Sequence, residues 1–505
     1  MRELLSIHSI RQLALLEYLM RCSTATIAEI SAATGYAPRT LWQDIQEVNG
    51  YLAPIRIETT NTGVMLNIPP SLSIRAIYRL LLAGSKEYNL LEYLFLNEGG
   101  SLEEVADNLY LSLSTLRRMI AEMNKKLEKH RIKIAVAPTK VIGDELSVSQ
   151  FYIALFSEKY YNLSDFLQCG EFQTLNLLLN KICKENSWQL TFPDMQKLRV
   201  WGYVRLVRMR HNHPIHYTQT LDMLHDYSFL HDQAFLIQFF VTFRMKLDKE
   251  LLMQMFQLVL GGLHLNTYEQ LMFAIKKEPF RKKIFDNVYT LLSALSNEFD
   301  ISLNNTENLQ LDLYNIMQRS HYRHFIIYSR SRQFLEGFGK DYPYVLNIFY
   351  EKLQHLRVCH CMPEYFICDD MIYAIITQWP DFLEKIESII PEIEVGLLFD
   401  TDIAHLRFIQ KILKKYSTQK LSIAVPNVFA TTVGQLPCQE LDLLITDIPN
   451  LPVKDVEVLC VQEYPSEKDW KRILSTQERI VRQKMQALNN NFMKGAGHLS
   501  CNTSS

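Results

Sequence analysis

The apolar positions in the N-terminal part of the chain occur twice in the same order, 75 residues apart. The sequence LLEYL stands at Leu15–Leu19 and again at Leu90–Leu94. The same offset continues without a gap as far as Ile57, which it pairs with Ile132. An internal repeat of this kind predicts two copies of one small structural unit.

Each copy has the pattern of a winged helix-turn-helix domain. A hydroxyl residue, Thr26 or Ser101, precedes a short amphipathic helix and can cap its N-terminus. After a short turn, apolar residues three or four apart predict a second helix with one buried face and one free face. Both copies then show β-type alternation, from Ile55 and from Ile132, which predicts a two-stranded wing. The second helix of such a domain fits the major groove of DNA.

The residues expected to contact DNA lie at the start and on the free face of each second helix. In the second copy they are Ser112, Ser114, Thr115, Arg117, Arg118 and Lys125. In the first copy they are Arg39, Thr40 and Gln43. The span from Ser114 to Lys140 has a net charge of +6, whereas the span from Gly35 to Thr60 has a net charge of −1. Because DNA phosphates attract positive charge, we expect the second copy to be the main DNA binder. The alternative is that both copies are modules for protein contacts.

The middle of the chain, from about residue 148 to residue 387, predicts an all-helical region. It is rich in apolar residues at helical spacing and poor in Gly and Pro. Within it, Leu190–Tyr217 aligns with Ile301–Tyr328 at an offset of 111 residues. The alignment places His213 opposite His324, each with an arginine five residues upstream. We therefore predict two related helical units, which divide near Lys276–Lys283.

Further histidines accompany each aligned histidine. His216 follows His213, and His321 precedes His324. Such histidines can bind zinc, accept a phosphoryl group or serve only as structural residues. No Cys or carboxylate partner stands at the spacing of a zinc finger, so we expect no metal site.

The C-terminal part of the chain changes to a strand pattern. Short apolar runs that begin at Glu394, Leu421, Leu441 and Val456 are typical of buried strands, and a helical stretch separates the first two. This order predicts a small parallel α/β domain. After about Arg482 the sequence becomes polar, and we expect a disordered tail there.

The order of these parts resembles the Mga/AtxA-type virulence regulators of Gram-positive bacteria. The resemblance rests on the two winged helices, the junction Ile142-Gly143-Asp144-Glu145 and the two helical repeats with Arg and His in register. Members of that family are transcription regulators that bind promoter DNA. They carry two regulatory domains of the sugar phosphotransferase system, called PRDs, and a C-terminal domain similar to the IIB domain of that system.

The resemblance implies control by phosphorylation. In the family, the phosphotransferase system phosphorylates PRD histidines, so its phosphocarrier protein is an expected partner. By motif, the acceptors are His213 and His324, with His216 and His321 as the alternatives. A phosphate beside the neighbouring arginines could lock or break a dimer contact. The other interpretation is that these histidines are structural remnants.

The C-terminal domain departs from the family pattern of an active IIB domain. In such a domain the first strand leads into a loop with a phosphate-accepting cysteine. Here the corresponding loop, Phe399–Asp402, has neither Cys nor Gly and contains two carboxylates that repel phosphate. We therefore expect a catalytically inactive domain that serves either in sensing or in oligomerisation, as a homodimer or a higher homo-oligomer.

Together these features predict a mainly α, multidomain chain. We expect two winged helix-turn-helix domains at 1–71 and 72–146, two PRD-like domains at 147–278 and 279–388, an α/β domain similar to IIB at 389–482 and a disordered tail at 483–505.

Composition and motifs limit the function further. The net charge of −2 gives no sign of nucleic-acid or membrane binding over the whole chain, and no apolar run is long enough for a membrane helix. Nine scattered cysteines favour reduced thiols in the cytoplasm. Phosphate loops, dinucleotide fingerprints and hydrolase motifs are missing, so we expect no enzyme and no cofactor. Within these limits, the resemblance implies a transcription activator linked to virulence and to carbohydrate supply.

Two rival functions share parts of this pattern. A phosphoryl carrier of sugar uptake would need the cysteine that the Phe399–Asp402 loop lacks. An RNA-binding antiterminator also contains PRDs, but such proteins begin with a small β-rich domain rather than with winged helices.

Overall fold

The structure is a computed structural model that describes residues 2–188, 190–215, 227–260, 264–318, 326–355, 366–417, 419–424, 441–451, 453 and 456–500. The chain divides into two compact units. Unit 1 comprises Met1–Asn266 with Gln318–Ser329, and unit 2 comprises Thr267–Met317 with Arg330–Ser505. The elements are mainly helical and form several domains, which confirms the predicted fold class. Among the described residues, no helix combines the length and apolar character needed to cross a membrane.

The first winged helix opens unit 1. It consists of helices α1 Ile7–Leu19, α2 Ile27–Thr34 and α3 Pro38–Tyr51 and strands β1 Arg56–Thr60 and β2 Gly63–Asn67. The Thr26 hydroxyl accepts a hydrogen bond from the Glu29 N–H, and the Glu29 carboxylate accepts one from the Thr26 N–H, so both cap α2. The strands are antiparallel. Gly63 is required where β2 begins, because a Cβ there would lie 2.4 Å from the Ala25 carbonyl oxygen.

The second winged helix repeats this order after one additional helix. It consists of α4 Ile74–Gly84, α5 Lys86–Leu96, α6 Leu102–Asn108 and α7 Leu113–Leu127, followed by antiparallel strands β3 Ile132–Val136 and β4 Thr139–Gly143. Ser101 and Glu104 cap α6 in the same reciprocal way as Thr26 and Glu29 cap α2. Helices α3 and α7 begin 75 residues apart, which is the offset that the sequence predicts.

An asparagine on the second helix of each copy holds the wing. The Asn49 side chain donates to the Ile57 carbonyl at 2.9 Å and accepts from the Ile57 N–H at 2.7 Å. Asn124 makes the same pair of bonds to Ile134 at the same distances. The partners are 8 residues apart in the first copy and 10 in the second, because a short 3-10 turn separates α7 from β3. Ile57 is therefore structurally equivalent to Ile134, and the predicted pairing of Ile57 with Ile132 is wrong.

The first helical domain completes unit 1. It contains α8 Glu145–Lys159, α9 Cys169–Glu185, α10 Phe192–Arg210, α11 Gln233–Phe243 and α12 Lys249–Leu260. Buried apolar residues form one continuous core from the first winged helix to α12. The winged helices and this domain therefore pack as one body, although each begins as a separate sequence pattern.

A segment from the second sequence repeat also belongs to unit 1. The side chains of Ile326 and Ile327 are buried in the core of that unit. The backbone N–H groups of Ile326, Ile327 and Tyr328 donate to the carboxylate of Glu158, at 2.5, 2.8 and 3.0 Å. Burial raises the pKa of Glu158 to about 7, although the three N–H groups act in the opposite direction. The Tyr328 ring packs on Tyr78 of α4, with ring centroids 5.2 Å apart.

Unit 2 begins with the second helical domain. Its helices are α13 Tyr268–Lys277, α14 Pro279–Phe299, α15 Glu307–Gln318, α16 Arg330–Asp341, α17 Pro343–His355, α18 Phe366–Gln378 and α19 Phe382–Ile389. Helix α13 packs against α14 and belongs to unit 2. The division between the units therefore falls at Thr267, ahead of the boundary at residue 279 that the sequence suggests.

The C-terminal domain has a four-stranded parallel sheet in the order β6-β5-β7-β8. Its elements are β5 Ile393–Leu398, α20 Ile403–Tyr416, β6 Leu421–Ala424, β7 Leu443–Thr446, β8 Glu457–Cys460 and α21 Glu467–Ser500. The strands are those that the sequence predicts, and the parallel register agrees with a small α/β domain.

The expected disordered tail is replaced by helix as far as Ser500. Within the added part of α21, Met485 is buried in the core of the α/β domain. Lys484 donates to the Glu392 carbonyl at 2.7 Å and to the Asp442 carboxylate at 2.5 Å. Apolar packing and two anchoring bonds thus order residues whose polar composition predicts disorder.

Replacing Asn124 with Ala should loosen the second wing. The substitution leaves the N–H and the carbonyl of Ile134 without their partners, and we expect a loss of about 2 kcal/mol in the stability of this domain. Hydrogen exchange of the full-length protein should show faster exchange in β3. Glu122→Ala, at an exposed position on the same helix, is the control and should change nothing. Unchanged exchange in β3 of the Asn124 variant would contradict the assignment.

Candidate nucleic-acid interface

Helix α7 presents a basic face to solvent. Leu116, Ile120 and Met123 are buried and fix the orientation of the helix. The predicted DNA-contacting residues that are exposed are Ser112, Ser114, Arg117, Arg118 and Lys125. Thr115 is only partly exposed. The structure therefore places Ser112, Ser114, Arg117 and Arg118 in the first turns of a single helix, where side chains reach the major groove, and Lys125 in its last turn.

The N-terminus of α7 is closed by its own hydroxyl side chains. The Ser112 hydroxyl oxygen accepts a hydrogen bond from the Thr115 N–H at 3.2 Å. It also lies 2.8 Å from the Thr115 hydroxyl and 3.1 Å from the Ser114 hydroxyl. Ser112 and Thr115 therefore fix the start of the helix, and Ser114, Arg117 and Arg118 are the side chains best placed to reach a ligand.

The second wing adds positive charge. Lys133 on β3 is exposed, and Lys140 on β4 is partly exposed. Ala135 pairs with Lys140 in the register, so the two lysines extend from the same face of the ribbon. The opposite face contributes the buried residues Ile134 and Val141 to the core. Helix and wing together present cations to solvent, as a surface that binds phosphates does.

The corresponding face of α3 is different. Arg39 and Gln43 are exposed and Thr40 is partly exposed, but Gln43 donates to Glu47 at 3.1 Å. Trp42 is 40% exposed, so it is not a core residue. The exposed face of α3 thus has one arginine among the predicted contacts, Arg39, whereas α7 has two, Arg117 and Arg118.

A cluster that links α1 to α3 was not expected from the sequence. Asp44 is fully buried, and Arg11 donates to it through Nη2 at 2.8 Å. His8 Nε2 lies 2.7 Å from Glu47. The possible ligand atoms of His8, Asp44 and Glu47 lie within 4.8 Å of one another, but the Arg11 guanidinium already occupies both carboxylate oxygens of Asp44. The cluster is therefore a satisfied polar network between the helices.

A buried arginine joins the second winged helix to the first helical domain. Arg208 on α10 is 1% exposed. Its Nη1 atom lies 2.6 Å from Glu98 Oε1, and its Nη2 atom lies 2.7 Å from Glu145 Oε2. It also donates to the Val141 carbonyl of β4 at 3.1 Å. Glu98 lies in the loop that follows α5, so the guanidinium contacts the loop and the wing of the second winged helix as well as the start of α8.

His213 binds the same carboxylate. Its Nε2 atom lies 2.6 Å from Glu98 Oε2, and His211 Nδ1 lies 3.6 Å from that oxygen. Burial acts to raise the pKa of Glu98, but the hydrogen bonds from both histidines and the charge of Arg208 outweigh it and lower the pKa to about 2. Glu98 is therefore ionised at neutral pH, and its carboxylate binds both Arg208 and His213.

Arg205 extends this network into the helical domain. Its Nη1 atom donates to Glu145 at 2.7 Å and to Ser149 at 2.8 Å. It also contacts Gln254, and it donates to the His213 carbonyl at 3.1 Å. We call the set of Arg205, Arg208, Glu98, Glu145 and His213 the Arg208 cluster.

The sequence identified only part of this cluster. Arg208 and His213 were recognised from the second repeat, and Glu145 was noted in the junction. Glu98 was missed because it is 115 residues from His213. Arg205 carries a usable signal, since two arginines three residues apart in the otherwise apolar stretch 200–209 require buried acidic partners. His216, His321 and His324 lie outside the described residues.

The loop Phe399–Asp402 of the C-terminal domain contains carboxylates where a phosphate would bind in a IIB domain. The Asp402 carboxylate accepts from the N–H groups of Ala404 and His405, both at 2.9 Å, and so caps α20. The Asp400 N–H donates to Asp447 at 2.8 Å. The backbone N–H groups of Asp400, Ala404 and His405 are therefore already bound to protein carboxylates.

Comparisons with known proteins agree with this arrangement. Residues 70–156, which contain the second winged helix, match the model of the Mga helix-turn-helix domain. A protein of Streptococcus pneumoniae named as a trans-acting regulator is 22% identical over 477 residues, which cover 91% of this chain and 95% of that protein. The anthrax toxin expression trans-acting positive regulator of Bacillus anthracis is 19% identical over 457 residues, which cover 89% and 93%. The capsule synthesis positive regulator AcpA of Bacillus anthracis is 26% identical over 137 residues, which cover 27% and 28%.

The domain match and the relatives define a multidomain helix-turn-helix regulator rather than an enzyme. The similarity to two of these relatives spans nearly the whole chain. The chain resembles the Mga-like regulators, and its match to the Mga helix-turn-helix domain spans residues 70–156.

Replacing Glu98 with Gln should destabilise unit 1 by about 3 kcal/mol at neutral pH, because Arg208 and His213 lose a buried charge partner. The low pKa of Glu98 means that its contribution is complete above its ordinary pKa of 4.5 and declines as the pH falls toward 2. Thermal unfolding of the unmodified protein and of the Glu98→Gln variant should therefore show a constant difference in stability between about pH 5 and pH 7. In stronger acid this difference should become smaller.

The matched control is Glu103→Gln, at an exposed position on α6. It should unfold like the unmodified protein at every pH. Equal stability of the Glu98 variant, or a gap that widens in acid, would show that the carboxylate does not hold the cluster together.

Proposed function

We propose that this chain is a DNA-binding activator of transcription whose second winged helix supplies most of the affinity for promoter DNA. The observation that carries the proposal is the basic face of α7, with Arg117 and Arg118 exposed beside the lysines of its wing. The match to a helix-turn-helix domain covers this copy. The names of two relatives as positive regulators support activation. Their roles in toxin and capsule expression support a link to virulence.

The first winged helix has an assisting role in this proposal. Its second helix has Asp44 and Glu47 on the side that contacts α1, and Arg39 as the exposed cation among its predicted contacts. A weak second contact would extend the site along the DNA without dominating the affinity. The salt dependence of binding separates these roles, because each cation that neutralises a phosphate contributes to the slope.

The double variant Arg117→Ala with Arg118→Ala should weaken promoter binding strongly and reduce the salt slope by about 2, whereas Arg39→Ala should reduce the slope by at most about 1. The measurement is a titration of the full-length protein on its own upstream DNA at two salt concentrations. Glu122→Ala, an exposed position on α7, serves as the control and should not weaken binding. Equal losses in the two arginine variants would refute the asymmetry, and absence of binding by the unmodified protein would refute the function.

We further propose that the phosphotransferase system regulates this chain by phosphorylating His213 and, in the second repeat, His324, with His216 and His321 as the alternatives. The support from the described residues concerns His213, which is 16% exposed and lies within the Arg208 cluster. A phosphocarrier protein would transfer its phosphoryl group to the ring nitrogen Nε2. The N–P bond of the carrier breaks, the new N–P bond forms, and the proton on Nε2 goes to solvent.

Such a phosphate would act on Glu98. It adds a charge of about −2 at the atom that now lies 2.6 Å from Glu98 Oε2. Repulsion would replace a hydrogen bond, and Arg208 would be drawn to the phosphate. The loop that follows α5 would then separate from α10, which changes how the second winged helix is held on the helical domain. Regulation by this route needs no movement of the DNA-contacting side chains themselves.

Phosphorylation with the phosphocarrier protein should label the peptide that contains His213 and increase hydrogen exchange in the loop at residues 97–101. His213→Ala should remove both effects. His211→Ala should keep the label, because the proposed acceptor is His213. If the label stays on this peptide in the His213 variant, or if the labelled protein shows unchanged exchange in the loop, the mechanism at His213 is excluded.

The C-terminal domain is proposed to mediate homo-oligomerisation rather than phosphoryl transfer. The carboxylates of Asp402 and Asp447 occupy the backbone donors at the loop after β5. Ile403, Phe408 and Tyr464 are exposed on the domain, at 59%, 48% and 59%. Apolar side chains of this size are suited to contact a second copy.

A further inference from the structure

We propose that Tyr110 is a DNA-contacting residue, whose hydroxyl donates a hydrogen bond to a phosphate oxygen at the edge of the groove that α7 enters. Tyr110 lies in the turn between α6 and α7 and was not among the predicted contacts. The proposal rests on the proposed DNA-binding function, and the experiment below separates the two.

The first observation is exposure. The side chain of Tyr110 is 96% exposed. Trp42, at 40%, is the other large aromatic residue exposed within the described helix-turn-helix segments. A tyrosine buries a large apolar area when it packs, so a ring left almost wholly in solvent contributes little to the fold. The ring is therefore available for a contact outside the chain.

The second observation is the backbone conformation. Tyr110 has a φ of +52°, in the left-handed region that favours glycine. The first copy of the domain has Gly35 at the equivalent position, with a φ of +76°. The first copy thus has the residue type that this backbone conformation favours, which is glycine. In the second copy, which carries the basic face, the turn has a tyrosine instead.

The third observation is position. Ser112, two residues after Tyr110, caps α7. The residues at the start of this helix approach base edges, so the preceding turn lies beside the phosphates that border the groove. A tyrosine hydroxyl is a common donor to phosphate oxygens. The hydrogen bonds from the Tyr110 N–H to Asp107 and from the Leu111 N–H to Ala106 hold the turn in place.

The test uses Tyr110→Gly, which gives the second turn the residue of the first, and Tyr110→Phe, which removes only the hydroxyl. Both variants should raise the Kd for promoter DNA about tenfold, the loss of one hydrogen bond to a charged group. The salt slope should stay unchanged, because a neutral phenol releases no counterion. The melting temperature of the Gly variant should not fall, since glycine fits this conformation.

The control is Phe192→Ala, which removes another exposed aromatic ring, at 69%, from the start of α10. It should bind DNA like the unmodified protein. The proposal is overturned if either Tyr110 variant binds with the unmodified Kd, or if the Gly variant loses binding together with thermal stability. Failure of the unmodified protein to bind DNA would instead reject the proposed function.

Discussion

The need to neutralise two buried guanidinium groups on α10 determines how unit 1 is assembled. Arg205 and Arg208 are almost inaccessible to water, and a buried charge without a partner costs several kcal/mol. Their carboxylates come from other parts of the chain, Glu145 from the start of α8 and Glu98 from the second winged helix. The winged helix must therefore pack where Glu98 reaches Arg208. An arrangement that separated Arg208 from Glu98 would leave a buried charge without a partner and would be strongly destabilised.

This constraint also explains why a histidine in the helical domain could affect a DNA-binding domain. His213 shares Glu98 with Arg208, so one carboxylate belongs to both the proposed sensor and the DNA-binding domain. Any change in the charge of the imidazole alters a contact that the winged helix depends on. The coupling thus needs a single shared side chain, not a long series of intermediate contacts.

Much of this architecture could be predicted from periodicity, and the exceptions have physical causes. Helices, wings and parallel strands follow from local spacing, as does the basic face of α7. Glu98 and Glu158 could not be found in this way, because each meets its partners across more than 100 residues of sequence. Ile134, and not Ile132, is the equivalent of Ile57 because a short 3-10 turn precedes β3. That turn has no pattern of apolar residues by which the sequence could reveal it. The helix around Met485 is stabilised by packing in the core of the α/β domain. The polar composition of this segment gives no indication of that packing.

The two histidine-bearing repeats differ in a way that sequence alignment does not show. Ile215 and Ile326 are equivalent in the repeat, and both follow a candidate histidine by two residues. The Ile215 N–H donates at 2.9 Å to Gln254 of its own helical domain. The Ile326 N–H donates instead to Glu158 of the first domain, and its side chain is buried in unit 1. Both segments are therefore held by the unit that contains the winged helices. If the histidines of both repeats are modified, each modification acts beside a segment anchored in the same body, so the two signals would converge on one DNA-binding unit.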